Sequence, residues 1–321
     1  MSIQLANTVL MIRPAAFGFN EQTARDNRFQ YTIADLSFSQ IQQKVLNEFD
    51  SMVKKLRNNN IEVLVIEDSV HPTKTDAIFP NNWFSTMPDG SLSVFPMYAH
   101  NRRLEKRDDI LDQLNLQYDV KQFTDWSELE ADGFFLEGTG SMVIDHDNKI
   151  IYAGLSQRTH FPAVEKFASL HDYKAIVFTT HDKNGDPIYH TNVLMCIGKN
   201  FAVVCDECFS DELEWVAVSQ LLRTTGHRII LISFEQVNAF AGNMLEVENK
   251  NGESFLVMSQ TAYDSLAEKQ RDILESLTDL LPVSIPTIEI IGGGSARCMI
   301  AEIFLKERIQ IAKSDRISLR G

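Results

Sequence analysis

The sequence predicts an α/β protein assembled from five repeated units, and three observations predict it. Apolar runs of helical period alternate with short β-branched runs, which is the pattern of α/β folds. Five times a small or amide residue leads into a hydrophobic run: at Asn82-Trp83-Phe84, Gly140-Ser141-Met142, Asn192-Val193-Leu194, Asn243-Met244-Leu245 and Ala296-Arg297-Cys298. By subtraction the intervals are 58, 52, 51 and 53 residues. A period near 50 marks a repeat architecture, in which each unit buries its face against its neighbours. Finally, no Pro/Gly-rich linker divides the chain, so residues 1–321 read as a single domain.

Taken in order, Ser37 caps a helix whose apolar positions are Phe38, Ile41, Val45, Phe49, Val53 and Leu56, and Asn58-Asn59-Asn60 ends it. Val63–Ile66 and Ile150–Tyr152 read as strands. Pro162 opens a helix through Leu170, since proline suits the first helical turn. Ala175–Phe178 follows as a strand. Ser210 caps the next helix, where Asp211 and Glu212 suit the positive helix start; it carries Trp215, Val218, Leu221 and Leu222 and stops at Gly226. Arg228–Ile232 is a strand, Thr261 caps a helix through Leu277, and Ile288–Ile291 is a further strand.

Composition narrows the function classes. The 44% apolar and 23% charged content is that of a globular protein with a sizeable core. A net charge of −14 argues against nucleic acid and anionic membrane as partners. No stretch reaches membrane-spanning length, and Thr8–Ile12 is too short for a signal-peptide core before Arg13-Pro14. Four cysteines, Cys196, Cys205, Cys208 and Cys298, do not make a disulfide scaffold; free thiols suit the cytoplasm. Cys205 and Cys208 form a single C-x-x-C pair with no second pair, which reads as an incidental feature near a helix start rather than zinc. The expected cofactor and metal content is none.

The repeat phase collects the chemistry. If five strand starts converge on one axis, residues far apart in sequence meet there. Asp76 with Asn81 and Asn82, Glu137, His190 with Asn192, Asn243 and Cys298 all fall at that phase. Cysteine, histidine and glutamate are the parts needed to activate a thiol, move protons and orient an imidazole. Gly292-Gly293-Gly294 before Cys298 removes side chains that would hold a ligand off the backbone, and the adjacent Arg297 either favours thiolate or is structural.

The Asp76–Trp83 stretch, Leu136–Gly140, Tyr189–Asn192 and Gly292–Cys298 resemble the motifs of the guanidine-modifying superfamily. Met11–Pro14 with Phe17, Asn20, Asn27 and Phe29 resembles its bacterial citrulline-utilisation subgroup, amidinotransferase-like hydrolases. The resemblance covers essentially the whole chain. It implies a five-bladed α/β propeller of ββαβ-type units around a central active site, the pentein fold. It also implies Cys298 as nucleophile, His190 as general acid/base and Glu137 as the carboxylate that positions His190 or the substrate. Relatives that bind a guanidinium usually hold it with carboxylates in the first-repeat motif, and some with another two residues after the histidine; this chain has Asn81, Asn82 and Asn192 there, and only Asp76 in the first motif keeps its charge. A guanidinium offers only donors, whereas a ureido group also presents a carbonyl, which an asparagine amide can match.

The expectation is therefore hydrolysis of L-citrulline to ornithine, carbon dioxide and ammonia. Two alternatives stand beside it: a guanidine-modifying enzyme of the same fold, favoured by Asp76, and a non-catalytic binding protein. Arg158 and Arg102 are candidates to grip the substrate α-carboxylate, and Asn243 joins the substrate-binding set. Pro14–Gln30 is the candidate covering loop. The expected partner is a small amino-acid substrate, and a homodimer is left open.

Overall fold

Helix α1 (Phe38–Asn58) illustrates how local sequence sets the elements. Its Ser37 hydroxyl accepts the Gln40 backbone N–H at 3.4 Å, and the Gln40 side chain accepts the Ser37 N–H at 2.9 Å. This capping box satisfies two donors at the helix start. Val45, Phe49, Met52, Val53 and Leu56 then form one buried face, each side chain contributing about 1.5–3 kcal/mol of burial. The computed structural model describes residues 2–34 and 36–308.

Five three-stranded sheets follow one another along the chain. The first contains β1 (Thr8–Arg13) and, after α1, the parallel β2 (Glu62–Glu67). In the second, β3 (Phe84–Thr86) and β4 (Ser91–Val94) form an antiparallel hairpin; α2 (Asp108–Gln117) then crosses over to β5 (Gln122–Asp125), parallel to β4. The third repeats this with a short lead-in helix α3 (Gly138–Ser141), then β6 (Val143–Asp145), β7 (Ile150–Leu155), α4 (Phe161–His171) and β8 (Lys174–Thr179). The fourth has α5 (Thr191–Leu194), β9 (Met195–Ile197), β10 (Phe201–Val204), α6 (Glu212–Thr224) and β11 (Arg228–Leu231). The fifth has α7 (Phe234–Asn238), β12 (Leu245–Glu248), β13 (Ser254–Ser259), helices α8 (Gln260–Ser265) and α9 (Glu268–Glu275), and β14 (Asp279–Val283). After α10 (Pro286–Gly292), β15 (Ala301–Ile303) returns to pair antiparallel with β1, matching Leu10 with Ala301. The last strand thereby completes the first sheet and ties the two ends of the described chain together.

The unit is ββαβ, as expected, and the innermost strands adjoin around the ring: β15 touches β3, β6 touches β9, and β9 touches β12. The outer helices fill the wedges between sheets. Phe49 and Met52 of α1 pack in one core with Leu281 and Val283 of β14, and Ile110 and Leu114 of α2 pack with Leu10 and Ile12 of β1.

Three expectations are corrected. The helix at 212 is capped by Asp211, whose carboxylate accepts the Leu213 N–H at 2.8 Å, and not by Ser210. The helix expected from Thr261 is two helices, capped by Ser259 and broken at Leu266-Ala267, where the chain turns to bury Leu266. Ile288–Ile291 is helical, within α10: Pro286 opens the helix and Gly293, at φ 61°, ends it in the left-handed conformation. A short β-branched run fits either structure, and here its two flanking signals decide. Among the described residues no helix is long and apolar enough to cross a membrane.

Candidate active site

Each of the five repeat positions is a turn that leads into an innermost strand. Pro80–Asn82 precedes β3, α3 precedes β6, α5 precedes β9, Ala241–Asn243 precedes β12, and Ala296–Met299 precedes β15. Turn packs on turn: α3 touches both Pro80–Asn82 and α5, and Pro80–Asn82 touches Ala296–Met299. Asn82, Glu137, His190, Asn192, Asn243 and Cys298 are thus gathered at one end of the ring, and all are buried.

Glu137 accepts the His190 Nε2–H at 2.8 Å and the Tyr98 backbone N–H at 3.0 Å. Burial would push this carboxyl up. Arg158, whose Nη1 lies 3.5 Å away, the His190 hydrogen bond and Arg102 at 3.9 Å outweigh burial and hold it down to about 2. Burial pushes His190 below the usual histidine range, against the raising pull of Glu137. The pair is therefore carboxylate and neutral imidazole. With its Nε2–H donated to Glu137, the imidazole keeps a basic Nδ1. The resting ring is therefore a base.

Gly140 permits the arrangement. A Cβ there would lie 2.4 Å from Asn82 Nδ2 and 2.8 Å from His190 Nδ1, so a side chain would drive both groups out of place. Asn82 and His190 consequently pack against the same bare backbone.

Cys298 Sγ has the Asn243 amide nitrogen at 3.2 Å and that of Asn192 at 3.8 Å. Asn243, expected among substrate contacts, therefore meets the sulfur. Arg297 faces elsewhere: it donates to the Ile300 carbonyl at 2.9 Å and to Glu302 at 2.8 Å. Of its two expected roles, the geometry matches the structural one.

The remaining polar groups are held by a charge network. Arg102 forks onto Glu105 at 2.9 and 2.8 Å and donates to Asn82 Oδ1 at 2.8 Å. Arg158 forks onto Asp26, with Nε to Oδ2 at 2.8 Å, and its guanidinium lies 4.8 Å over the Tyr189 ring. Both arginines border the site, and their bidentate faces hold carboxylates of the chain. Burial raises Asp76 above the ordinary carboxyl range, against Arg102 and the Asn20 amide, which donates to it at 2.8 Å. Among the described residues Asp76 Oδ1, Asn82 Nδ2, Asn192 Oδ1 and both amide atoms of Asn81 are buried without a partner. Buried polar atoms normally have a partner, in protein or ordered water, and of these residues Asp76 and Asn82 border the cavity described below.

The segment 14–30 lies over the site. Asn20 and Thr23 reach Asp76, Asp26 reaches Arg158, and Asn27 and Gln30 donate to the Gly293 and Gly292 carbonyls at 3.2 and 3.0 Å. Gly293 is bare for this reason, since a Cβ would lie 2.6 Å from Asn27 and Gln30. The glycine run thus admits the covering segment as well as exposing backbone. Beneath it a cavity of about 20 Å³ is bordered by Asp76, Asn82, Arg102, Arg158, His190 and Cys298. That is room for a water or two and not for an amino acid, so ligand entry requires the segment to move. Tyr189 separates this cavity from an outer one of about 550 Å³ lined by Asp26, Phe29 and Phe240.

Sequence reasoning missed Asp26 and Glu105. Each is an ordinary surface-type residue whose role follows only from which arginine the fold places beside it. Cys205 and Cys208 are buried free thiols in a turn before α6, and no group of three metal-ligating side chains occurs among the described residues.

Five ββαβ units, with Cys298, His190 and Glu137 buried at one end of the ring, define the pentein fold of the guanidine-modifying superfamily. The family model described as N,N dimethylarginine dimethylhydrolase, eukaryotic, matches residues 13–305, and the chain belongs to that family. Among solved structures, ArgZ, an arginine dihydrolase from the ornithine-ammonia cycle in cyanobacteria, superposes with TM-score 0.72 at 14% identity, over 94% of this chain and 41% of ArgZ. The ArgZ N-terminal domain, as a Cys→Ser variant bound to substrate, gives 0.70 at 14% identity, over 92% of this chain and 97% of that domain. A dimethylarginine dimethylaminohydrolase adduct gives 0.65 at 15% identity, over 93% and 100% of the two chains. The chain thus spans about two fifths of full-length ArgZ, and at these identities the likeness is one of fold. No curated protein matches the sequence.

Proposed function

We propose that this chain is a cysteine hydrolase that cleaves the ureido group of L-citrulline to ornithine, carbon dioxide and ammonia. One observation carries the substrate class. Arg102 donates to Asn82 Oδ1, which fixes the amide so that its Nδ2, a donor, is the unpartnered atom bordering the cavity. A guanidinium has no acceptor to offer that donor, whereas a ureido oxygen does.

The proposed chemistry uses these groups. His190, neutral at rest, takes the Cys298 proton, and the sulfur attacks the ureido carbon. Negative charge develops on the oxygen, where the Asn82 amide is the placed donor. The imidazolium, stabilised by the Glu137 carboxylate, gives its proton to the departing ornithine nitrogen. It then takes one from the water that hydrolyses the carbamoyl thioester. Carbamate leaves and decomposes to carbon dioxide and ammonia. Asp76 Oδ1 is an acceptor for a substrate N–H. Arg158 receives the α-carboxylate as Asp26 withdraws with the covering segment.

A second reading, turnover of arginine or a methylated arginine, is favoured by that same Asp76 acceptor and by the arginine dihydrolase described for ArgZ.

Asn82→Asp tests the reading. It keeps an acceptor for Arg102 but replaces the free donor with an oxygen. Citrulline turnover is expected to fall about 10²–10³-fold, the usual effect of losing one oxyanion donor. Steady-state kinetics on the two proteins measure it, and an unchanged kcat would remove Asn82 from the oxyanion site. The pH profile supplies a second check. The base must be unprotonated and His190 lies below the usual histidine value. Activity is therefore expected to hold steady from pH 7.5 down to about 6.5 and to fall only in more acid solution. An acid limb already descending above neutrality would contradict the assignment.

A further inference from the structure

We propose that Asn243, with Asn192, is a positioning residue that stabilises and aims the Cys298 sulfur rather than a contact for substrate. The proposal rests on Cys298 being the nucleophile of the reaction above. Asn243 Nδ2 lies 3.2 Å from Sγ and donates to the Asn192 carbonyl at 3.0 Å. That second bond fixes the amide, because the reversed side chain would set its oxygen against a carbonyl oxygen. Asn192 Nδ2 approaches the sulfur at 3.8 Å. The two amides sit 51 residues apart at equivalent positions of adjacent repeats, and both are buried. The adjacent cation, Arg297, is engaged with Glu302 and the Ile300 carbonyl.

Donors to a buried sulfur favour thiolate over thiol. Amides do so without adding a fixed charge beside a neutral substrate. When the sulfur is protonated, Asn243 Oδ1 at 3.5 Å can accept its S–H, so one side chain serves both states.

The test is alkylation of the full chain by iodoacetamide between pH 6 and 9.5, without substrate, with the labelled cysteine located by mass spectrometry. Asn243→Ala is expected to slow labelling of Cys298 about tenfold at pH 7, the scale of one hydrogen bond to a charged group. The gap should close toward pH 9.5, and in turnover kcat should fall with KM nearly unchanged. Asn243→Asp, which sets a carboxylate near the sulfur, should label more slowly still. If the alanine variant melts well below the parent, Asn243→Ser takes its place in the same comparison. An unaltered labelling profile with a raised KM would overturn the proposal and return Asn243 to the substrate contacts. Because labelling needs no substrate, a shifted profile in a protein that does not cleave citrulline would sink the citrulline reading and leave this one standing.

Discussion

Cys298→Ser is expected to lower turnover by at least about 10⁴-fold, since removing a nucleophile abolishes the whole covalent route. The substitution is nearly isosteric at a buried position, and the Asn243 amide can donate to a hydroxyl as it does to sulfur. Folding should therefore be kept, and thermal melting should match the parent. What changes is ionisation. A thiol yields a nucleophilic anion near neutrality, and an alcohol beside two amides does not. Activity within tenfold of the parent, in a variant free of contaminating wild-type protein, would dispose of the covalent mechanism.

Glu137→Gln is expected to cost about 10⁴-fold in kcat, the effect of orienting an imidazole by an amide in place of a carboxylate. Glu137 offers two acceptors, one to His190 Nε2–H and one to the Tyr98 N–H. Glutamine keeps one acceptor and presents an NH₂ to the other donor. His190 can satisfy that NH₂ only by moving its proton to Nδ1, which removes the base from the site. The same change withdraws the charge that lies 3.5 Å from Arg158 and 3.9 Å from Arg102. Breaking a buried ion pair typically destabilises by about 3–5 kcal/mol, so a lowered melting temperature should accompany the lost activity. The sign with pH follows from the depressed carboxyl. Relative to an ordinary glutamate at 4.5, its contribution is fully present above that pH and lost as pH falls through about 2. The melting difference between wild type and variant should shrink over that window. A variant with near-normal kcat would mean that Glu137 serves only to neutralise the arginines.

Much of this was legible in the sequence. The repeat was visible because small and amide residues recur at one phase before apolar runs, and the fold requires small residues there to let the turns meet. Gly140, wedged against Asn82 and His190, is the clearest case. Cysteine, histidine and glutamate stood out because their chemistry is rare at such positions. Roles set by distant pairing were not legible. Asp26 meets Arg158 across 132 residues, and no local pattern announces it. Nor does spacing tell which atom of an amide faces a sulfur, so Asn243 was placed with the substrate contacts. The misread strand at Ile288–Ile291 had a local remedy: Pro286 before it and Gly293 after it are helix punctuation.

An oriented, unpartnered donor on Asn82 is proposed to select a ureido carbon. The most direct measurement is ornithine release by the purified protein, given L-citrulline and L-arginine in parallel. Ornithine and ammonia formed from citrulline are the predicted result. Citrulline accumulating from arginine, with no ornithine formed from citrulline, would contradict the account while leaving the fold and Cys298 in place.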